Sequence, residues 1–216
     1  MGPCILWDWN GTLLDDTEAA LATLNEMIAA RGGRPIALPF YRDHFAFPVR
    51  PFYGTIGIAA RGEDEWNAVA REYHEVYARQ PKALNPDAVA ALEAAKAAGC
   101  EQAVVSALRQ DLLERDLAAY GVRGYFAHVC GTDNLDGASK VARARVLLRT
   151  LRSERAERPF GLVGDALHDK EVADALGVPC VLCAQGSHAA WRLRAVAPTC
   201  DTLGEAVRLA LQLTVA

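Results

Sequence analysis

Beyond about residue 85, short apolar, β-branched runs alternate with stretches of helical spacing. The runs Pro3–Trp7, Gln102–Ser106, Phe126–Cys130, Phe160–Val163 and Pro179–Cys183 predict strands buried on both faces. Helical patterns fill the intervals. Pro86-Asp87 opens an alanine-rich helix that stops at Gly99, following the rule of proline at a start and glycine at a stop. Arg109–Tyr120 stops at Gly121, and Ser139–Leu151 carries Val141, Val146, Leu147, Leu148 and Leu151 at helical spacing. Lys170–Leu176 closes at Gly177, and Leu203–Leu213 follows. Strands separated by helices of this size predict an α/β fold built on a parallel sheet. Right-handed crossovers then bring the C-terminal ends of the strands to one edge, where ligands collect.

Residues 15–82 break this alternation. Glu18–Arg31 reads as one helix, stopped by Gly32-Gly33, and Arg61–Arg79 as another, with Trp66, Val69, Ala70, Tyr73, Val76 and Tyr77 sharing a face. Between them Phe40–Ile58 reads as irregular and aromatic-rich. The expected organisation is therefore a core of residues 1–14 plus 83–216, with residues 15–82 inserted after the first strand as a helical unit.

Composition narrows the class. The chain has 216 residues, 51% hydrophobic and 23% charged, with 23 Lys+Arg against 27 Asp+Glu. That length can bury a substantial core. A formal charge of −4, without basic runs, speaks against nucleic acid as a partner. No apolar stretch approaches the ~20 residues of a membrane span, and the N-terminus shows no targeting pattern. Cys4, Cys100, Cys130, Cys180, Cys183 and Cys200 sit mostly in apolar runs, and Cys180-x-x-Cys183 has no second pair to complete a zinc site. Reduced thiols and a cytoplasmic setting are the expectation. Oligomeric state is left open between monomer and homodimer.

The chemistry-bearing residues stand at strand ends or at the start of a helix. Asp8-Trp9-Asn10-Gly11-Thr12-Leu13 follows the first strand, Ser106 ends the second, Lys140 begins a helix, and Gly164-Asp165-Ala166-Leu167-His168-Asp169 follows Phe160-Gly161-Leu162-Val163. Asp8, Asp165 and Asp169 would converge at the sheet edge and repel one another unless a cation joined them. Hard oxygen donors suit Mg²⁺. Gly11 and Thr12 would offer free backbone N–H groups to a phosphoryl oxygen, Ser106 a hydroxyl and Lys140 a point charge. A carboxylate can also attack phosphorus directly.

This ordered set resembles the haloacid dehalogenase superfamily, in its phosphoglycolate-phosphatase-like branch with a helical cap. The resemblance covers essentially the whole chain. It implies a three-layer Rossmann-like core with an inserted α-helical cap, and a Mg²⁺-dependent phosphatase acting on a small phosphorylated metabolite. By that resemblance Asp8 is the nucleophile. Gly11, Thr12, Ser106, Ala107 and Lys140 hold phosphate, while Asp8, Asn10, Asp165 and Asp169 hold the metal. The cap residues His44 and Arg50 are expected to contact substrate.

Asn10 departs from the pattern, because phosphatases of the family carry a second aspartate there. Its backbone carbonyl can still bind metal, but an amide cannot shuttle a proton. General acid–base help is typically worth ~10²–10⁴-fold. Slow turnover is expected unless the leaving group is good, or His168 or His44 supplies the proton. Two other readings follow from Asn10. One is a catalytically weak phosphate-binding or regulatory protein. The other is a phosphonoacetaldehyde-hydrolase-like enzyme, which would need a cap lysine; none precedes Lys82.

Overall fold

The computed structural model describes residues 2–133, 139–154 and 157–215. The chain runs through β1 (Cys4–Trp7), β2 (Leu14–Asp15), α1 (Thr17–Ala30), α2 (Leu38–His44), α3 (Val49–Thr55), α4 (Glu63–Arg79) and β3 (Ala83–Leu84). It continues with α5 (Ala88–Ala97), β4 (Glu101–Arg109), α6 (Gln110–Ala119), β5 (His128–Thr132), α7 (Lys140–Glu154) and β6 (Phe160–Gly164). Then come α8 (Leu167–Leu176), β7 (Cys180–Cys183), α9 (Ala190–Arg194), β8 (Thr199–Cys200) and α10 (Leu203–Val215).

Six strands form one parallel sheet in the order β5-β4-β1-β6-β7-β8. β1 lies inside it, paired with β4 on one side and β6 on the other. The two-residue alternation of a strand splits its four buried side chains between two cores. Ile5 and Trp7 pack with Leu92 of α5, Leu113 and Leu117 of α6, and Val207 of α10. Cys4 and Leu6 pack with Leu148 and Leu151 of α7 and Val172 and Leu176 of α8. Helices thus cover both faces of a parallel sheet, which is why its strands read as unbroken apolar runs. All six cysteines are free thiols, and Cys4, Cys130, Cys180 and Cys183 are buried.

β2 and β3 pair antiparallel, Leu14 opposite Leu84 and Asp15 opposite Ala83, and carry the chain out of and back into the core. Helices α1–α4 lie between these strands in sequence and close around Leu24, Met27, Tyr41, Phe52, Tyr53, Ile58 and Trp66. Among the described residues no helix is long and apolar enough to cross a membrane.

Three local readings change. Phe40–Ile58 takes in most of α2 and all of α3, seven-residue helices too short for helical periodicity to register. The strand expected at Phe126–Cys130 is β5 at His128–Thr132, because Phe126 follows a 3-10 turn at Arg123–Tyr125 and is buried without pairing. Helix α8 begins at Leu167 rather than Lys170, which places Asp169 in its first turn.

Candidate active site

β1 ends at Trp7, so Asp8 is the first residue past the sheet edge, its N–H donated to the Val163 carbonyl of β6 at 2.8 Å. Val163 is followed by Gly164-Asp165, and the neighbouring strands thereby deliver Asp8 and Asp165 side by side. α8 adds Asp169 from its first turn. That carboxylate accepts the N–H groups of Asp165 and Ala166, each at 3.0 Å, so it also caps the helix it belongs to. Among the described residues, Asp8, Asp165 and Asp169 form a group whose oxygens lie within 4.8 Å of one another, all buried.

Lys140, at the start of α7, enters this group with only 4% of its side chain exposed. Its Nζ sits 2.6 Å from Asp8 Oδ1 and 2.6 Å from Asp169 Oδ1. Burial opposes its charge, but the Asp169 and Asp8 carboxylates outweigh burial and hold the ammonium protonated. Asp169 feels burial too, yet the ammonium brings its carboxyl below the usual range. Burial and then Asp169 push Asp8 up to about 7 against the pull of Lys140. Asp165 rises well above the carboxylate range through burial and the charges of Asp8 and Asp169. One ammonium does not neutralise three carboxylates. The set therefore fits a hard divalent cation, whose charge would restore the ionised forms.

Glycines fit the backbone tightly around Asp165. Gly11 has φ +78°, and a Cβ there would fall 2.3 Å from Asp165 Oδ2; one at Gly186 would fall 2.1 Å from the same atom. Only a residue without a side chain allows that approach. The Ser187 N–H donates to Asp165 Oδ2 at 2.5 Å, and the Thr12 hydroxyl lies 3.2 Å from Asp165 Oδ1.

Above these groups lies a cavity of about 130 Å³ between the sheet edge and α1–α4. Asp8, Asn10, Ser106, Ala107, Lys140, Asp165, His168 and Asp169 line it. The β4–β5 register slips between Val105 and Arg109, which frees Ser106–Leu108 from the ladder and turns them toward the cavity. The Ala107 carbonyl accepts the Thr132 hydroxyl at 3.0 Å, and the Ser106 hydroxyl accepts the Leu108 N–H at 3.0 Å.

Several sequence expectations find a different place. The Gly11 and Thr12 N–H groups are not free: Gly11 donates to Asp16 Oδ1 at 2.7 Å and to the Leu14 carbonyl at 2.9 Å, and Thr12 to the Trp9 carbonyl at 3.3 Å. Neither residue lines the cavity. His44 and Arg50 also lie outside it. His44 stacks on Phe40 with its Nδ1 2.9 Å from that residue's carbonyl, and Arg50 pairs with Glu63 at 2.5 Å and lies over Trp66. Their guanidinium and imidazole are spent within the helical unit. Lys82 donates to the carbonyls of Tyr77 and Gln80 at 2.6 and 2.9 Å, away from the cavity, which removes it as a Schiff-base lysine. Lys170 holds Asp174 at 2.6 Å and leaves the acidic group to Lys140.

The structure adds residues that sequence reasoning missed. Asp16 is buried beside Asn10, accepting its side-chain amide at 2.7 Å, the Gly11 N–H and the Tyr77 hydroxyl of α4. Asn10 also donates to the Tyr77 oxygen at 3.1 Å. An acidic pair directly after the apolar Leu13-Leu14 was the available signal, but its partner Tyr77 is 61 positions away. Ser187 and His188 follow β7 at the same sheet edge, and His188 Nδ1 accepts the Leu167 N–H at 2.9 Å, steadying the start of α8. Burial and nearby Arg192 push that imidazole down to about 4, keeping it neutral as an acceptor.

Known proteins share this fold. The profile of the haloacid dehalogenase-like hydrolases matches residues 5–183. The chain is 27% identical to a phosphoglycolate phosphatase of Rhodobacter capsulatus, over 86% of each chain. It is also 27% identical to the probable phosphatase IndB of Dickeya dadantii, over 96% of this chain and 93% of that one. A crystal structure of a predicted phosphatase from Clostridium acetobutylicum superposes with a TM-score of 0.78 over 99% of this chain and 100% of that one, at 16% identity. The profile spans most of the chain, which therefore belongs to the haloacid dehalogenase-like hydrolases and resembles their phosphoglycolate phosphatases.

Proposed function

We propose that the protein is a Mg²⁺-dependent phosphomonoesterase that works through an aspartyl-phosphate on Asp8. The observation carrying this reading is the Asp8 carboxylate at the end of the central strand, buried in the cavity floor, with one oxygen 2.6 Å from Lys140 Nζ. Residues 15–82 act as the cap over the core. Asp8, Asp165 and Asp169, with the Asn10 carbonyl, would hold the cation. When bound, it would neutralise charge on the transferring phosphoryl group.

The chain's own groups define the rest. Asp8 attacks phosphorus from below, and its oxygen bonds to phosphorus as the ester P–O bond breaks. Lys140 and the Ser106 hydroxyl hold the equatorial oxygens, where charge spreads in the transition state. Water then attacks the same phosphorus, phosphate departs, and the Asp8 carboxylate is regenerated. The aromatic residues of α2–α4 exclude bulk water while this occurs. Asn10 does not donate a proton. Its amide bridges Asp16 and Tyr77, holding the nucleophile's loop against the cap.

The test is release of phosphate from p-nitrophenyl phosphate with Mg²⁺. Turnover should vanish on chelation and in Asp8→Asn, with Asn10 verified by peptide mass spectrometry so that deamidation cannot supply the activity. Full turnover by Asp8→Asn would overturn the nucleophile assignment. A wild type that binds phosphate but releases none would favour the phosphate-binding reading, for which Asn10 is the supporting feature.

A further inference from the structure

The roof of the cavity differs in chemistry from its floor. It is built mainly by Leu24, Tyr41, Phe45, Phe47, Tyr53 and Tyr73 of the helical cap, with His74 and Tyr77 beside them. Among the described lining residues, Lys140 is the one lysine or arginine, and it is committed to Asp8 and Asp169. Nearby guanidinium groups are turned elsewhere. Arg42 donates to the carbonyls of Gly186 and Gln185, each at 3.0 Å, and Arg192 to those of Arg42 and Phe45, each at 2.9 Å. His168 faces Glu171 through Nδ1 at 2.8 Å, and His74 packs edge-on against Tyr73. Burial drives the hydroxyls of Tyr41, Tyr53 and Tyr73 above their ordinary ionisation range, so these three hydroxyls stay neutral.

A substrate bearing a second anion would meet rings and neutral hydroxyls there, with Asp16 at the margin. Desolvating a carboxylate against such a surface without a cation is costly. A flat, uncharged group gains from the same surface through apolar burial and edge or stacked ring contacts. Size sets a further limit. At about 130 Å³ the whole cavity is close to the ~150 Å³ engineered cavity that accepts benzene.

We propose that the substrates are aryl phosphomonoesters, with one compact uncharged ring as the leaving group, and that esters carrying a carboxylate or second phosphate are disfavoured. This inference rests on the phosphatase reading above. It also accounts for Asn10. A phenol ionises near ~10, as tyrosine does, whereas the hydroxyl of water ionises near ~15.7. As the Asp8 oxygen bonds to phosphorus, the P–O(aryl) bond breaks and its electron pair leaves with the phenoxide, which takes its proton from solvent. No protein acid is needed at position 10. Water then attacks phosphorus, the bond to Asp8 breaks, and its protons pass to solvent and to the phosphate released.

The experiment compares kcat/KM for phenyl phosphate, 2-phosphoglycolate and phosphocholine with Mg²⁺. It also measures binding of the non-hydrolysable phenylphosphonate and phosphonoacetate to the same wild-type protein. Phenyl phosphate should lead by ~10-fold or more, and phenylphosphonate should bind at least ~10-fold more tightly than phosphonoacetate. A lead for 2-phosphoglycolate or phosphocholine would overturn the aryl assignment and leave the phosphatase reading intact. Absence of turnover with all three would sink the phosphatase reading, and the two phosphonates would still decide the roof's preference. Phe47→Ala, at a half-buried position, should raise KM for phenyl phosphate several-fold while inhibition by inorganic phosphate stays unchanged. An unchanged KM would count against the roof as the aryl site.

Discussion

The floor and the roof of one cavity are held together by opposite means. On the floor, buried charged groups hold one another: Lys140 lies at 2.6 Å from two carboxylates, and Asp169 and Asp165 take backbone N–H groups. On the roof, aromatic side chains pack by shape, with Tyr41 stacked on Phe45 at 4.9 Å and Phe47 stacked on His168 at 5.0 Å. Charge geometry on the floor suits any phosphoryl group. Ring packing on the roof would, as proposed, discriminate by size and polarity. On the proposed function, chemistry and specificity would come from different parts of the chain, joined through Asp16, Asn10 and Tyr77.

The largest effect expected is on the floor. Asp8→Asn should lower kcat by at least ~10⁴-fold, because it removes the proposed nucleophile, and melting curves should show that it still folds. Next, Lys140→Met leaves Asp8 and Asp169 buried without their shared ammonium. Denaturant titration should register a loss of ~3 kcal/mol or more, partly recovered by millimolar Mg²⁺. Recovery by Na⁺ alone would count against the acidic group as a divalent-cation site.

The junction should respond less. Exchanging Asn10→Asp together with Asp16→Asn keeps one carboxyl and one amide in contact but moves the acid to position 10. Turnover of an alkyl phosphate should rise up to ~10²-fold, with little gain for phenyl phosphate. Equal gains for both esters would separate the role of Asn10 from the leaving group. The smallest effect belongs to the roof: Val49→Arg places a cation on the cavity wall and should improve kcat/KM for 2-phosphoglycolate several-fold relative to phenyl phosphate. No change would show that charge is not what the roof selects against.

Much of the floor was legible in the sequence because it depends on strand ends. Asp8 follows an apolar run and Asp165 another, and adjacent parallel strands need no further information to bring them together. Asp169 was legible as a residue at the acidic loop. Its place in the first turn was not, since Leu167 and His168 carry no start signal comparable to Pro or Ser. The Gly11 and Thr12 N–H groups are not open to a ligand because the turn's own acceptors, Leu14, Trp9 and Asp16, lie within five residues and claim them first. His44 and Arg50 looked available as isolated polar residues in an aromatic stretch. The short helices α2 and α3 turn them onto Phe40 and Glu63 instead.

By itself the sequence determined the alternation of strands and helices, the acids at the sheet edge and the interruption after β1, because period, glycine stops and strand ends are local properties. Tertiary structure decided which lysine enters the acidic group. Lys140 and Lys170 both stand near helix starts, and only packing sends one to Asp8 and Asp169 and the other to Asp174. It also decided that the cap offers rings rather than guanidinium groups to the cavity. That outcome depends on where helices distant in sequence come to rest, and on carbonyls and carboxylates that draw the arginines away.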